Sequence, residues 1–361
     1  MSNRFVEQGL RAPVNLTWEV TVACNLRCRH CLSASGEPAP RELSTAEALD
    51  LVEQMHRARV FQVNFGGGEP FLRHDFEEIL DACHRRGIVT CISTNGTLLD
   101  GRRVERLARS GLVAIQVSLD GASRLTCDAV RGAGSYFRAL SALRLLAASP
   151  IPTSINTVLT AGNAGEIPQL YELAGSLGVS LRVSRFRPSG RGALHWESLR
   201  PTAAQLLNFS AWLAARGDVR TGDSFFSLTP QERQGLGLNL CGAAKLTCCV
   251  GPEGGVYPCA FLQSPQFQAG SLRKRPFQEI WDASPVFGSF RRLRIRSCEA
   301  CGRFDQCHGG CPAVAHHLRR GLDAGDPECL ERCVTALGRG EDLARHDGMD
   351  WMGAVGSGPR G

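Results

Sequence analysis

Three cysteines stand close together near the start of the chain: Cys24, Cys28 and Cys31. Their C-x3-C-x2-C spacing suits three irons of a [4Fe–4S] cube and leaves the fourth iron without a protein ligand. An electron-transfer cluster normally takes four protein ligands, whereas a catalytic metal keeps one position open for a substrate or cofactor. A zinc site is the alternative and would need a fourth ligand at ordinary spacing. His30 is a candidate, but its place beside Cys31 favours a side chain that packs against a bound cofactor.

A second, larger group of cysteines occupies the last third of the chain. Its ten members are Cys241, Cys248, Cys249, Cys259, Cys298, Cys301, Cys307, Cys311, Cys329 and Cys333. In the reducing cytosol such a density predicts metal binding or catalysis rather than disulfides. A pair of zinc ribbons is the alternative to iron–sulfur clusters, because four-cysteine zinc sites share the C-x2-C element. Cys83, Cys91 and Cys127 lie outside both groups and are predicted to be small core residues.

The first half of the chain alternates between strand and helix periodicity. The predicted strands are 14–20, 61–65, 88–93, 113–119, 151–159 and 179–183. This alternation predicts parallel β/α units, and the segment is shorter than the roughly 250 residues of an eight-unit barrel. We therefore predict an α/β fold with a partial (β/α)6 TIM-like barrel. A doubly wound sheet is the alternative, and in both architectures the active loops follow the carboxyl ends of strands.

Four segments with candidate cofactor-binding residues follow the first four predicted strands in order. The cysteine loop follows the first strand, and 67–70 (GGEP), 93–96 (STNG) and 118–121 (SLDG) follow the next three. Glycines permit close backbone approach, and the carboxylate of Glu69 suits an ammonium group. Taken alone, the glycines can form a simple turn and Asp120 can cap a helix. Their common position at strand ends argues against chance.

With these four segments the chain resembles the radical SAM family, in which a cluster with one open iron binds S-adenosylmethionine (SAM). The resemblance implies reductive cleavage of SAM to a 5′-deoxyadenosyl radical, which abstracts hydrogen from an unactivated carbon, while the protein positions the reactants. In such a site Glu69 would hold the SAM amino group, Ser93 and Asn95 the ribose, and Arg131 the carboxylate. The implied cofactor-binding residues are Gly67, Gly68, Glu69, Pro70, Ser93, Asn95, Asp120 and Arg131.

The second cysteine group is similar to the SPASM extension of that family. Gly254 stands five residues before Cys259, as in the SPASM pattern. The resemblance implies two auxiliary [4Fe–4S] clusters without an open iron, which relay electrons or, alternatively, only brace the fold. One cluster would take Cys241, Cys248, Cys259 and Cys311, and the other Cys298, Cys301, Cys307 and Cys329. Cys249 can replace Cys248, because sequence does not distinguish adjacent thiols, and Cys333 lies beyond the pattern.

Five segments are similar to the mycofactocin maturases within the radical SAM family. They are 16–19 (LTWE), 63–70 (VNFGGGEP), 187–192 (RPSGRG), 221–226 (TGDSFF) and 237–242 (GLNLCG). This resemblance implies a short precursor peptide that ends in Val-Tyr, oxidative decarboxylation of the tyrosine, and a carbon–carbon bond to the valine. Arg185, Arg187 and Arg191 are candidates to bind the peptide carboxylate. Asp120 and Asp223 are the candidates for proton transfer.

Three other functions fit most of these motifs. A SPASM maturase of a different peptide or protein, forming thioether or other crosslinks, shares all but the five segments. A haem-pathway or sulfatase-modifying enzyme is a second alternative. A non-catalytic iron–sulfur electron carrier is the third, and the intact GGEP loop argues against it.

Composition and length limit the partners and the domain plan. The charge excess of +6 and the 7% of aromatic residues do not predict nucleic-acid binding, and the absence of a long apolar run or signal peptide predicts a cytoplasmic protein without a membrane partner. The predicted domains are a barrel (1–200), a helical connector (201–235), a SPASM domain with two auxiliary clusters (236–335) and a disordered tail (336–361). Thirteen residues precede the first predicted strand, too few for a peptide-recognition domain. A separate small peptide-carrier protein and a reducing electron donor are therefore expected partners.

Overall fold

Six parallel strands form the centre of the fold. The computed structural model describes residues 10–109, 114–221 and 240–340. The strands are β1 (Asn15–Thr21), β2 (Gln62–Gly67), β3 (Val89–Thr94), β4 (Ala114–Ser118), β5 (Thr153–Leu159) and β6 (Ser180–Arg185). They pair in chain order, whereas a doubly wound sheet reverses its order at a switch point. The prediction of a barrel-type (β/α)6 fold is therefore confirmed.

The barrel is open between its first and last strands, and further strands lie at both edges. β1 pairs with β8 (Thr247–Val250), and β6 pairs with β7 (Arg220–Thr221). β9 (Gly255–Tyr257) and β10 (Gly270–Ser271) continue from β8 in antiparallel order. The cysteine-rich region thus shares one sheet with the barrel, which fixes its cysteines relative to the strand ends.

Helices cover the outer face of the barrel strands. They are α1 (Thr45–Ala58), α2 (Phe76–Arg85), α3 (Gly101–Arg109), α4 (Arg124–Arg131), α5 (Ser135–Ala147) and α6 (Ile167–Ser176). Ser44 and Glu47 stand in the sequence at the spacing that predicts a capping box for α1, and the structure confirms it: Ser44 accepts from the Glu47 backbone and the Glu47 side chain accepts from the Ser44 backbone. α4 was not predicted, although Ser123 caps its start and Gly132 follows its end.

The remaining helices of the described chain follow β6, and most of them are short. They are α7 (Arg191–Leu194), α8 (Trp196–Leu199), α9 (Ala203–Ala214), α10 (Phe277–Ala283), α11 (Pro285–Arg291), α12 (Phe304–Cys307), α13 (Pro312–His317) and α14 (Leu330–Gly338). α14 packs on α9, so the end of the described chain is held against the helix that follows the barrel.

The two faces of the barrel strands differ in polarity. Trp18 of β1 packs on Phe65 of β2, which packs on Phe76 of α2, with ring centres 5.5 and 5.3 Å apart. These fully buried rings belong to the main hydrophobic core, and each contributes roughly 1.5–3 kcal/mol by leaving water. Alternation along a strand places the intervening residues on the inner face.

The inner face of the barrel is polar. Gln116 of β4 donates to Ser93 of β3 at 2.5 Å, and Ser93 donates to Asn64 of β2 at 3.4 Å. Cys91 is paired with Asn64 and so shares this face; it is half-buried there, which corrects its prediction as a core residue. Cys83 and Cys127 are buried in the core as predicted. The interior therefore suits a polar cofactor or substrate.

The described residues leave several of the predictions made from sequence untested. No helix within the described ranges is long and apolar enough to cross a membrane. The predicted domain boundaries at 200 and 235 stay predictions. The candidate Asp223 and most of the predicted tail, residues 341–361, lie outside the described residues.

Candidate functional site

The first cysteine loop leaves β1 and is fixed against the loop that follows β2. The Gly68 N–H donates to the Thr21 carbonyl and the Glu69 N–H to the Ala23 carbonyl, both at 2.8 Å. A Cβ on Gly68 would lie 2.0 Å from the Ala23 oxygen, so only glycine permits this approach. The glycines of the GGEP segment thus place Cys24 at the carboxyl ends of β1 and β2.

The three thiols of this loop lie within electrostatic reach of one another. Burial, with a smaller contribution from the neighbouring thiols, raises the pKa of Cys24 and raises that of Cys28 to about 11. A bound metal favours the thiolates instead. The proximity of the three thiols, with the Arg131 guanidinium 3.9 Å from the Cys28 sulfur, fits an anionic cluster that takes three protein ligands.

Glu69 is fully buried behind the cysteine loop. Its carboxylate accepts from the Thr94 hydroxyl at 2.7 Å and from the Asn95 N–H at 2.8 Å. Burial raises its pKa to about 7 against the effect of these hydrogen bonds. Glu69 therefore ties the GGEP loop, which includes the buried Pro70, to the turn after β3. Its contact with a SAM amino group stays a prediction.

The turn after β3 also reaches the cysteine loop. The Asn95 amide donates to the Asn25 side chain at 2.9 Å and lies 4.0 Å from the Cys24 sulfur. Ser93 lies on the inner barrel face, two residues before Asn95. The structure thus brings both predicted ribose contacts to the same strand end as Cys24. Gly67, with φ of +112°, adjoins Thr21 on the other side of the loop.

Asp120 joins the cysteine loop to α4 through a buried ion cluster. Its Oδ2 lies 2.8 Å from His30 Nε2 and 2.5 Å from Arg131 Nε, and Oδ1 accepts from the Val158 N–H at 2.7 Å. Burial alone would raise the pKa of Asp120, but the charges of Arg131 and His30 hold it well below its usual range. An ionised, paired carboxylate is a poor proton donor at neutral pH, so the geometry favours an anchoring role.

His30 provides a further sign that a cofactor belongs here. Its Nδ1 is buried and has no hydrogen-bond partner within the described residues. Such an atom is costly unless something satisfies it. The position fits the expectation that His30 packs beside a bound polar group.

Two of the three arginines predicted to bind a peptide carboxylate are engaged inside the protein. The Arg185 guanidinium pairs with Asp326 at 2.5 Å and Glu328 at 2.6 Å, with all three side chains buried. The Arg191 guanidinium donates to the Cys28 carbonyl at 2.9 Å and to two further carbonyls of the same loop. Both therefore hold structure rather than substrate.

One half of the second cysteine group surrounds Cys259. Burial raises its pKa, and the thiols of Cys241 and Cys311 raise it further. Cys249 lies within electrostatic range of Cys259 and of the adjacent Cys248, and Cys248 also lies near Arg291. Cys241, Cys249 and Cys311 therefore all lie near Cys259.

The side chains of Cys248 and Cys249 point to opposite faces of β8. Cys248 is paired with Leu16 and belongs to the hydrophobic core, while Cys249 is paired with Thr17 on the inner face. Adjacent strand residues must alternate in this way. The geometry therefore favours Cys249 over Cys248, the residue chosen from sequence, as a partner of Cys259.

The other half of the group lines one pocket. The pocket has a volume of about 400 Å³ including its open mouth, and its walls include Cys298, Cys301, Cys307 and Cys329. Within the described ranges no three His, Cys, Asp or Glu side chains converge tightly enough to hold a single metal ion. The four thiols instead surround a larger space, which fits a cluster. Cys333 is buried in the adjoining core.

Comparison with known proteins agrees with both halves of the site. Residues 18–174 match the model of the radical SAM superfamily, and residues 241–308 match that of the SPASM iron–sulfur cluster-binding domain. The chain is 45% identical over 337 residues to the mycofactocin maturase MftC of Mycobacterium ulcerans, with 91% of both chains covered. The chain belongs to the mycofactocin maturase family of radical SAM enzymes.

Other relatives support this membership. The mycofactocin maturase MftC of Mycolicibacterium smegmatis is 44% identical over 91% of this chain and 86% of its own. The crystal structure of Streptococcus suis SuiB bound to precursor peptide SuiA superposes with a TM-score of 0.74 at 21% identity, covering 90% of this chain and 77% of that one, and it shows the shared fold. As a radical SAM enzyme with a SPASM domain, the protein uses SAM and [4Fe–4S] clusters.

Glu19 is a residue of this radical SAM enzyme that the motif-based prediction missed. It lies on β1 and is 3% exposed; a Cβ on Gly67 would lie 3.1 Å from its Cβ. Burial raises its pKa from 4.5 to about 7, against a hydrogen bond with Gln263. Strand alternation could have revealed it as the inward-facing acid two residues after Thr17.

Replacing Glu19 by glutamine is expected to stabilise the protein most at high pH. The unfolded acid ionises above pH 4.5 and the folded one only near pH 7, so ionisation costs stability progressively across that range and fully above it. At about 1.4 kcal/mol per pKa unit the gain reaches about 3 kcal/mol at pH 8 and vanishes near pH 4.5. Melting temperatures of both proteins between pH 5 and 8 measure it. A difference that does not change with pH would contradict the prediction. Glu37→Gln is the control, because Glu37 is 88% exposed, and it should leave the melting temperature nearly unchanged at every pH.

Proposed function

We propose that the protein is a peptide maturase of mycofactocin biosynthesis that acts on a precursor ending in Val-Tyr. It oxidatively decarboxylates the C-terminal tyrosine and then joins that residue to the valine by a carbon–carbon bond. The 45% identity to a mycofactocin maturase over 91% of both chains is the observation that carries the proposal. The polar barrel interior beside Cys24 supports it, because a peptide backbone needs hydrogen-bond partners when it is enclosed.

The chain's own residues hold and orient the reactants. Cys24, Cys28 and Cys31 would bind three irons, and the GGEP loop and the turn after β3 would hold SAM by their fixed backbone. When bound, the cluster and SAM supply the radical that abstracts hydrogen. The Asp120 cluster keeps the cysteine loop in place, and the buried strand ends exclude water from the reacting atoms.

Two auxiliary clusters are part of the proposal. One would take Cys241, Cys249, Cys259 and Cys311, and the other Cys298, Cys301, Cys307 and Cys329. Four thiolates leave no open iron, which suits electron transfer. The oxidation of the peptide leaves an electron that such a relay can accept. The further partners are a small carrier protein that presents the peptide and an external electron donor.

Anaerobic reconstitution followed by SAM cleavage tests the proposal. We expect about twelve irons per chain for three [4Fe–4S] clusters, 5′-deoxyadenosine after reduction, and a precursor product lighter by carbon dioxide and two hydrogens. A Cys31→Ala variant is the matched control: it should lose SAM cleavage and keep about eight irons. A product lighter by two hydrogens alone would indicate a different crosslink. Absence of deoxyadenosine with peptide and carrier present would favour an electron carrier.

A further inference from the structure

Arg187, a residue of the barrel, places a buried positive charge beside the second cysteine group. It follows β6 by two residues and is 6% exposed. Its guanidinium carbon lies 3.5 Å from the centre of the Phe261 ring. Phe261 stands two residues after Cys259, so a barrel residue contacts the loop that carries a proposed cluster ligand. A guanidinium stacked this closely on an aromatic face has a defined position.

The loop that receives Arg187 is itself held rigidly. His317 at the end of α13 lies with its Nε2 2.7 Å from the Phe261 carbonyl; a carbonyl only accepts, so Nε2 carries the proton. Burial lowers the pKa of His317, which keeps this ring neutral. The Phe261 N–H donates to the Cys259 sulfur, and α13 begins directly after Cys311. The cation, the ring and two proposed ligands thus form one packed unit.

Arg187 lies within electrostatic range of the Cys259 thiol. Its guanidinium is held there on the ring of Phe261, two residues after Cys259 in the chain. A buried cation acts strongly because the protein interior screens it weakly.

We propose that Arg187 raises the reduction potential of the auxiliary cluster held by Cys259 and so favours that cluster as an electron acceptor. Taking up one electron makes a cluster more negative, and a nearby cation stabilises the reduced form. Net charge and hydrogen bonds around the sulfurs are known determinants of cluster potential. This inference rests on the proposed auxiliary clusters and adds a role for Arg187 that differs from binding the peptide carboxylate.

Potentiometric titration of the reconstituted protein without peptide, followed by electron paramagnetic resonance, tests the role of Arg187. Arg187→Gln removes the charge and keeps a polar side chain, while Arg187→Lys keeps the charge. In the glutamine variant we expect the reduction of one auxiliary cluster to be about tenfold less favourable. The reduction potential of that cluster should therefore fall by about 59 mV for one electron. The lysine variant should stay close to the wild type. Arg275→Gln, which breaks an exposed ion pair with Glu279, is the control and should change no potential.

Several outcomes would overturn the role of Arg187. Unchanged potentials in Arg187→Gln together with a higher KM for the peptide would assign the residue to substrate binding. Equal shifts in both Arg187 variants would mean that stacking, not charge, sets the potential. Loss of about four irons from both variants would show that Arg187 only holds the cluster. A wild-type protein with about four irons would instead refute the auxiliary clusters, and the iron count separates that failure from the others.

Discussion

Replacing Cys249 by alanine is expected to remove about four of the roughly twelve irons of the reconstituted protein. The Cys249 side chain lies on the inner face of the sheet beside Thr17 of β1 and within electrostatic range of the Cys259 thiol. Without its thiolate one iron of that cluster lacks a ligand, and the cluster should be lost on purification. Iron and sulfide per chain, with the resonance signal of each reduced cluster, measure the effect. SAM cleavage should survive, because the first cysteine loop is untouched.

Cys248→Ala is the matched control for Cys249→Ala. Cys248 lies next along the chain and is equally buried, but its side chain packs in the hydrophobic core with Leu16. Its removal should leave all of the iron and only loosen the core. If Cys248→Ala lost the iron and Cys249→Ala kept it, the assignment made from sequence would be restored.

The features that sequence predicted well are those that depend on local order. Strand and helix periodicity located all six barrel strands, because burial of one face leaves a regular pattern along the chain. The start of α1 followed from Ser44 and Glu47, which bond to each other's backbone within one turn. The loops at the strand ends were also found, since barrel topology brings successive strand ends together.

The features that sequence left open depend on contacts between distant parts of the chain. The strand order can be read only from the pairing of the strands in the sheet. The choice between Cys248 and Cys249 also depends on that pairing, because the two residues differ only in the face of β8 they occupy. α4 has only eight residues, too short for a clear periodic signal. Sequence did not reveal the buried partners of Arg185, which was predicted to bind a peptide, because those partners lie more than 140 residues away along the chain.

Replacing Arg185 by methionine is expected to lower the free energy of unfolding by about 3–5 kcal/mol, the usual cost of leaving buried charges without a partner. Asp326 and Glu328 would remain buried at the junction of the barrel and the second cysteine group. Asp326 also accepts from the Cys311 N–H at 3.0 Å, and Glu328 precedes Cys329. Disturbing this junction should therefore release auxiliary iron at a lower temperature. Melting temperature and iron retained after mild heating measure both effects.

The pH dependence separates the loss of charge pairing from a simple packing defect. With Arg185 present, burial alone would raise the pKa of Asp326 but the guanidinium lowers it. In Arg185→Met that attraction is gone, so the carboxylates take up protons at higher pH. The deficit relative to the wild type should then shrink as the pH falls from 8 toward 5.5. Arg41→Met is the control, because Arg41 is 81% exposed and 3.9 Å from Glu253, and it should leave the melting temperature unchanged. Equal melting temperatures of Arg185→Met and Arg41→Met would contradict a structural role for the Arg185 ion pairs. Arg185 would then again be a candidate for peptide binding.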